Sequence, residues 1–143
     1  MFEPYVAVKH SCILGESPIW SEVEQALSWV DIRNPMIYRW TAASRELKRW
    51  RVQTEIGSIG FASEGRLIAG TRMGFAYINL EDGEFEELID PEGNGRMNIV
   101  RLNDGKVDRK GRFWCGSMED PGASEIASLY RLDPDHSVHR MEG

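Results

Sequence analysis

Cysteine, histidine and long apolar runs are all scarce in this sequence. Among its 143 residues there are two cysteines, Cys12 and Cys115, and three histidines. The cysteines lack C-x-x-C spacing, so the sequence predicts neither a cysteine-rich metal site nor a disulfide. No apolar run approaches the roughly 20 residues of a membrane span, and the N-terminus lacks a basic segment followed by an apolar one. We therefore expect a cytoplasmic protein that does not bind membranes.

Positive charge and the common catalytic motifs are also missing. The chain has 17 lysines and arginines against 23 acidic residues, a net charge of −6. Nucleic-acid binding requires a basic surface that replaces the counterions along the phosphates, so no nucleic-acid partner is expected. The histidines form no H-x-x-x-H or H-E-x-x-H pattern and no serine lies in a G-x-S-x-G turn, which argues against a serine or cysteine hydrolase. Small molecules or cations are the expected partners.

The sequence does contain a pattern that occurs three times. Each copy has a short apolar stretch, a tight turn and an alternating strand, and these strands are predicted to begin at Leu27, Leu67 and Phe113. A third strand with a tyrosine and a fourth strand after a polar turn complete each copy. Alternation with a period of two, between turns rich in Gly, Asp, Asn and Pro, favours strands over helices. The pattern predicts an all-β protein with four short antiparallel strands in each copy.

Four strands in a repeat of about 40 to 45 residues are typical of a β-propeller blade. We predict a single domain over residues 1–143, with blades at approximately 12–52, 53–90 and 97–143. Closed propellers have roughly four to eight blades, so three cannot close a ring. The chain is expected either to form a six-bladed homodimer or to be the N-terminal half of a longer six-bladed protein. In the homodimer, the N-terminal stretch "YVAVK" is expected to pair with a blade of the partner.

Two predictions concern the interior of this fold. Large flat side chains suit the space between stacked, twisted sheets, so the tryptophans are expected to pack between blades. They are Trp20, Trp29, Trp40, Trp50 and Trp114. Cys115 falls in an apolar strand and is expected to be buried.

The innermost strand of each blade lines the central channel, so the residues that begin it are candidates for ligand contact. The aligned copies place Glu16, Gly57 and Asn103 at equivalent points. Carboxylate and amide oxygens suit a hard divalent cation, which predicts Glu16 and Asn103 as ligands of Ca²⁺, Mg²⁺, Mn²⁺ or Zn²⁺. Arg101 is suited to hold an oxygen-rich ligand by paired hydrogen bonds. The alternative is that Asn103 belongs to a turn and Glu16 is simply solvated.

Several stretches resemble the senescence marker protein/gluconolactonase/luciferin-regenerating enzyme family, which includes regucalcin and bacterial sugar lactonases. They are "LGESPIW", "LSWVDI", "IYRW" and "RLNDGKVDRKGRFWCGSM". The resemblance covers essentially the whole chain. It implies a six-bladed propeller with a divalent metal in its channel, and the hydrolysis of lactones of sugar acids and related small esters. By this resemblance the chain is the N-terminal half of a regucalcin-like sugar lactonase.

The same resemblance implies roles for particular residues. Glu16 would bind the metal, and Arg101 and Asn103 would contact the substrate beside it. A further substrate contact is implied shortly after "GSM", at Glu119 or Asp120. The family's other metal ligands and its general base belong to blades four and five, so no catalytic residue is assigned here. The resemblance predicts a metal-dependent lactonase acting as a dimer or within a longer chain. The alternative is a non-catalytic propeller fragment that binds a metal or small molecule.

Overall fold

Three antiparallel sheets of four strands each make up the computed structural model, which describes residues 3–93, 99–120, 122 and 126–141. Sheet 1 contains β1 (Gly15–Ser21), β2 (Ala26–Asp31), β3 (Met36–Thr41) and β4 (Leu47–Arg51). Sheet 2 contains β5 (Ile56–Phe61), β6 (Leu67–Thr71), β7 (Gly74–Ile78) and β8 (Phe85–Ile89), with a short 3₁₀ turn at Ser63–Gly65. Sheet 3 contains β9 (Val100–Val107), β10 (Phe113–Glu119), β11 (Leu129–Leu132) and β12 (Val138–Met141).

Within each sheet, every strand pairs with the one that follows it in the chain. This arrangement confirms the all-β prediction with four antiparallel strands in each copy of the pattern. The second strands begin at Ala26, Leu67 and Phe113, within one residue of the prediction. The predicted blade bounds remain predictions, and residues 97 and 98 lie outside the described part of the chain. No helix in that part is long and apolar enough to span a membrane.

A core of aliphatic side chains joins sheet 1 to sheet 2. Val30 and Ile37 of sheet 1 pack with Ile59, Leu67 and Ile78 of sheet 2, and each of these side chains is at most 2% exposed. Burial of apolar surface contributes roughly 25 cal/mol per Å², so contact between these two faces stabilises the stacked sheets.

Tryptophan is rare in the cores between the three described sheets. Trp50 packs against the core between sheets 1 and 2. Trp20 is 40% exposed, and Trp29 stacks on Tyr38 of its own sheet with ring centroids 5.4 Å apart. Neighbouring residues along a strand point to opposite faces, so a strand that turns Val30 inward turns Trp29 outward. Trp20, Trp29, Trp40 and Trp114 belong to neither core between the described sheets, and their packing against further blades stays a prediction.

Sheets 2 and 3 pack through a core of aromatic and aliphatic side chains. Phe75 of β7 meets Phe113 of β10 edge to face, with ring centroids 6.0 Å apart. Ile68 and Leu102 lie in the same core. Cys115 also belongs to it and is fully buried, as predicted, and both cysteines are free. These contacts bring the first strands of the sheets together, since β5 contacts both β1 and β9.

Candidate functional site

The innermost strands β1, β5 and β9 are irregular at the positions where the sequence places the candidate ligands. The pairing of β1 with β2 shifts between Glu16 and Ile19, and that of β5 with β6 shifts at Gly57. In β9, Asn103 and Asp104 fall within the shift in its pairing with β10. Such bulges re-aim side chains and are common beside functional sites. Equivalent positions in all three sheets therefore leave the regular alternation of a strand.

Gly57 allows β9 to approach β5 closely at this level. A Cβ atom on Gly57 would lie 2.4 Å from the carbonyl oxygen of Leu102 and 2.6 Å from the Cα atom of Asn103. Both neighbours are backbone atoms, which cannot rotate away as the end of a side chain can. At this position sheet 1 carries Glu16 and sheet 3 carries Asn103. Sheet 2 instead carries a glycine, which allows the close packing of β5 and β9.

Arg101 and Asn103 lie together on β9. The Arg101 guanidinium donates from Nη1 to Asn103 Oδ1 at 2.6 Å and to the carbonyl oxygen of Leu102 at 3.3 Å. Arg101 is 4% exposed, and its Nε atom has no hydrogen-bond partner in the described part of the chain. Burial lowers the pKa of Arg101 and the nearby Asp120 carboxylate opposes that shift. Arginine stays charged in proteins, so the pair carries a fixed positive charge.

Asp120 lies at the centre of a group of ionic side chains. Its two oxygens accept hydrogen bonds from Arg33, Oδ1 from Nη2 at 2.7 Å and Oδ2 from Nη1 at 2.9 Å. Asp120 Oδ2 also pairs with Arg72 and lies 3.6 Å from Arg101 Nε. Glu55 pairs with Arg33 at 2.9 Å and accepts a hydrogen bond from Arg72 Nε at 2.5 Å. We call these five residues the ion cluster.

Electrostatics within the ion cluster keep the Asp120 side chain ionised. Hydrogen bonds from Arg33 hold the pKa of Asp120 at about 2, below its ordinary value of 3.8. Burial acts in the opposite direction, and Arg72 lowers the pKa further. The same contacts raise the pKa of Arg33. Three arginines and two carboxylates leave the cluster with a net charge of +1 when all five are ionised.

All three sheets contribute to the ion cluster. Arg33 follows β2, Arg72 follows β6 and Glu55 precedes β5, whereas Arg101 lies in β9 and Asp120 follows β10. The sequence reasoning missed Arg33, Arg72 and Glu55. Arg33 and Arg72 could have been found from their position in the repeat, because both lie within two residues of the end of the second strand of their sheets.

Of the two acidic candidates after "GSM", Asp120 is the one that the structure places against Arg101. Glu119 is the last residue of β10, opposite Val100 of β9, and is half-buried. The structure thus brings three predicted substrate residues together, namely Arg101, Asn103 and Asp120.

Glu16 lies on β1, where it is exposed and lines an open cleft with Asp104 and Lys106 of β9. The oxygen of Asn103 accepts a hydrogen bond from the cationic Arg101 and keeps one further lone pair. Within residues 3–93, 99–120, 122 and 126–141, no three His, Cys, Asp or Glu side chains lie close enough to hold a metal ion. The metal roles of Glu16 and Asn103 stay predictions.

Comparison with known proteins identifies the family. Residues 14–143 match the family model of the SMP-30/gluconolactonase/LRE-like region. The chain belongs to this family. Regucalcin of Bos taurus is 33% identical over 138 residues, which cover 93% of this chain and 46% of regucalcin. The 6-deoxy-6-sulfogluconolactonase of Pseudomonas putida is 32% identical over 136 residues, covering 95% of this chain and 46% of that enzyme.

The fold also matches a solved member of the family. A structure of luciferin-regenerating enzyme superposes with a TM-score of 0.81 at 26% identity, covering 92% of this chain and 46% of that one. The three sheets are thus blades of a β-propeller, and we call them the first, second and third blade below. The chain spans about half the length of the curated relatives it matches.

Proposed function

We propose that this chain forms three blades of a six-bladed propeller that hydrolyses lactones of sugar acids. The observation that carries the proposal is the Arg101–Asn103 pair, which lies on an innermost strand within the family-like stretch "RLNDGKVDRKGRFWCGSM". A guanidinium offers donors in a planar fork and an amide offers further donors, which suits the carbonyl and hydroxyl oxygens of a lactone. Gluconolactonases among the family's members support this substrate class.

In the proposed reaction, Arg101 and Asn103 hold and orient the lactone. Water adds to the carbonyl carbon while a base accepts its proton, the ring C–O bond breaks, and the departing ring oxygen takes up a proton to become a hydroxyl group. Asp120 is unsuited to that role, because arginines occupy both of its oxygens and its pKa is about 2. We assign the base to residues outside this chain. The contribution of this chain is positioning, which accounts for a large part of many enzymatic rate enhancements.

We further propose that the complete site depends on Ca²⁺, Mg²⁺, Mn²⁺ or Zn²⁺, with Glu16 as the ligand from this chain. The exposed Glu16 carboxylate and its open cleft support this assignment. Two side chains are too few to hold such a cation firmly, so the other ligands would come from the rest of the ring. When bound, a divalent cation polarises the carbonyl oxygen of the lactone.

A second copy of the chain, or three further blades of a longer protein, would close the ring. The first blade has a face that points away from the second blade, and an apolar surface on that face supports closure of the ring. Trp29 lies on this face, and Trp20 is 40% exposed. Tyr5 and Val6 of "YVAVK" are 86% and 73% exposed and lie outside any strand. Extended apolar surface of this kind typically marks an interaction site. We propose a cytoplasmic homodimer that binds a small-molecule lactone, and neither nucleic acid nor membranes.

A non-catalytic propeller fragment that binds a metal or small molecule is the second candidate. It is favoured by the hydrogen bond that already occupies Asn103 Oδ1.

Hydrolysis of glucono-1,5-lactone and xylonolactone, with the mass in solution measured on the same samples, separates these candidates. The proposal predicts a dimer whose turnover is lost in EDTA and restored by one of the four cations. Arg101→Lys keeps the charge but loses the planar fork, and should lower turnover, whereas the surface variant Glu86→Gln should not. A folded dimer that hydrolyses neither lactone with any of the cations would favour the non-catalytic fragment, whereas an inactive monomer would favour closure of the ring by further blades of a longer protein.

A further inference from the structure

We propose that Asp120 is a positioning residue for Arg101, and that Arg33 and Arg72 hold Asp120 in place from the other two blades. The inference rests on the proposed function, because it assumes that Arg101 binds the substrate. It assigns Asp120 a place behind the substrate-binding arginine, whereas the family resemblance suggested direct contact with substrate.

The contacts of Asp120 leave little of its carboxylate for a ligand. Arg33 binds both oxygens, in the two-bond geometry that fixes the plane of a carboxylate. Arg72 pairs with Oδ2 as well, and the Asp120 side chain is 7% exposed. A carboxylate that is enclosed and oriented by two cations can act on a substrate only through a neighbour.

That neighbour is Arg101, which Asn103 and Asp120 contact through different nitrogens. Asn103 accepts from Nη1 at 2.6 Å, and Asp120 Oδ2 lies 3.6 Å from Nε. A buried charge is costly unless it has a partner of opposite sign, and Asp120 supplies that partner to a side chain that is 4% exposed. The positive charges of Arg33 and Arg72 act against Arg101. Without Asp120, Glu55 would be the only carboxylate left in the ion cluster, and it pairs with Arg33 and Arg72.

The arrangement also makes the orientation of Arg101 depend on how the three blades are stacked. Arg33 belongs to the first blade, Arg72 to the second and Asp120 to the third. In the sequence, Asp120 is 87 residues from Arg33 and 48 residues from Arg72. Glu55 pairs with both outer arginines and so links them to each other. A shift of either neighbouring blade would therefore move the carboxylate that faces Arg101.

The test uses two measurements on the 143-residue chain. One is the NMR resonance of the Arg101 Nε–Hε group, identified by its loss in Arg101→Lys, together with the rate at which Hε exchanges with water. The other is the affinity for D-gluconate, the hydrolysis product, measured by titration calorimetry. The variants are Asp120→Asn, Asp120→Glu and Arg33→Gln. Glu86→Gln is the matched control, because it removes one partner of an exposed pair with Arg66 at 3.1 Å.

In Asp120→Asn we expect Hε exchange to accelerate about tenfold and gluconate affinity to fall about tenfold, because Arg101 loses the carboxylate that offsets its buried charge. Arg33→Gln should change both in the same direction by a smaller factor. Its melting temperature should stay close to that of the wild type, because Arg33 is 41% exposed. Asp120→Glu should recover part of both values, and Glu86→Gln should change neither. If Asp120→Asn does not fold, Arg33→Gln still tests the inference.

Two results would separate this inference from the proposed function. If Arg101→Lys abolishes gluconate binding while Asp120→Asn and Arg33→Gln change neither measurement, Asp120 does not position Arg101 and the substrate role stands. If the chain does not bind gluconate but the Asp120 and Arg33 variants still alter the Arg101 resonance, the positioning stands. In that case the proposed substrate contact is wrong.

Discussion

Arg33 binds both carboxylate oxygens of Asp120, although 87 residues separate them in the chain. Arg33 lies in the turn after β2 of the first blade, and Asp120 follows β10 of the third. The second blade lies between these two, so the pair forms where the turns at one end of the blades converge. This contact makes the candidate site a property of all three blades together.

The ion cluster predicts how stability responds to acid. The pKa of Asp120 is about 2 in the folded chain and 3.8 in a free side chain. Between these values the unfolded chain binds more protons than the folded one, so the free energy of unfolding should fall as the pH drops from about 4 towards 2. Asp120→Asn should be less stable than the wild type at pH 7 and lose less stability over that range.

Urea denaturation at pH 7, 4 and 3 measures this response. The exposed Asp104→Asn serves as the control and should keep the pH dependence of the wild type. If Asp120→Asn lost as much stability between pH 4 and pH 3 as the wild type, Asp120 would not be the group responsible.

Gly57 is predicted to be essential for the contact between the second and third blades. Gly57→Ala would bring a Cβ atom to 2.4 Å from a backbone oxygen of β9, which must move to accommodate it. We expect a loss of about 2–3 kcal/mol in the free energy of unfolding, as for an overpacked interior. Gly116→Ala is the control, because its Cβ atom would find its nearest neighbours at 4.0 Å. If the two variants were equally stable in urea, β5 and β9 would have room for a methyl group at Gly57.

The two cysteines should differ strongly in reactivity. Burial raises the pKa of Cys115 to about 12, and its Sγ atom lies 3.5 Å from Ser58 Oγ inside the core. The thiolate is the reactive form, so Cys115 should resist thiol reagents while the chain is folded. Cys12 is only half-buried and should react first.

Titration with Ellman's reagent tests this difference. We expect one thiol to react in the native chain and two in guanidinium chloride. Cys12→Ser should leave a native chain with almost no reaction. Rapid reaction of Cys115 in that variant would indicate that the core between the second and third blades opens readily.

The proposed role of Glu16 predicts stabilisation by divalent cations. A cation that binds the folded chain raises the melting temperature once its concentration exceeds the dissociation constant. Glu16→Gln should reduce this rise, whereas Glu22→Gln, at an exposed position in the turn after β1, should retain it. The measurement is thermal unfolding in EDTA and in Ca²⁺, Mg²⁺, Mn²⁺ or Zn²⁺. If the cations raised the melting temperature of the two variants equally, Glu16 would not be a ligand of the metal.

Much of the local structure could be predicted because it depends on neighbours in sequence. Alternating apolar residues and the turns between them were sufficient to predict where β2, β6 and β10 begin, to within one residue. Arg101 and Asn103 could be linked in advance because they are two residues apart on one strand. The neighbours of the tryptophans could not be predicted, because alternation shows which residues share a face, but not which face meets which blade.

The sequence by itself determined the repeated four-stranded pattern and the burial of Cys115, since both follow from strand periodicity. Only the tertiary structure decided that Asp120 lies between Arg33, Arg72 and Arg101. Those contacts join turns of different blades, and their distances depend on how the sheets stack and twist against one another. Long-range packing therefore selects which charged side chains surround the candidate substrate residues.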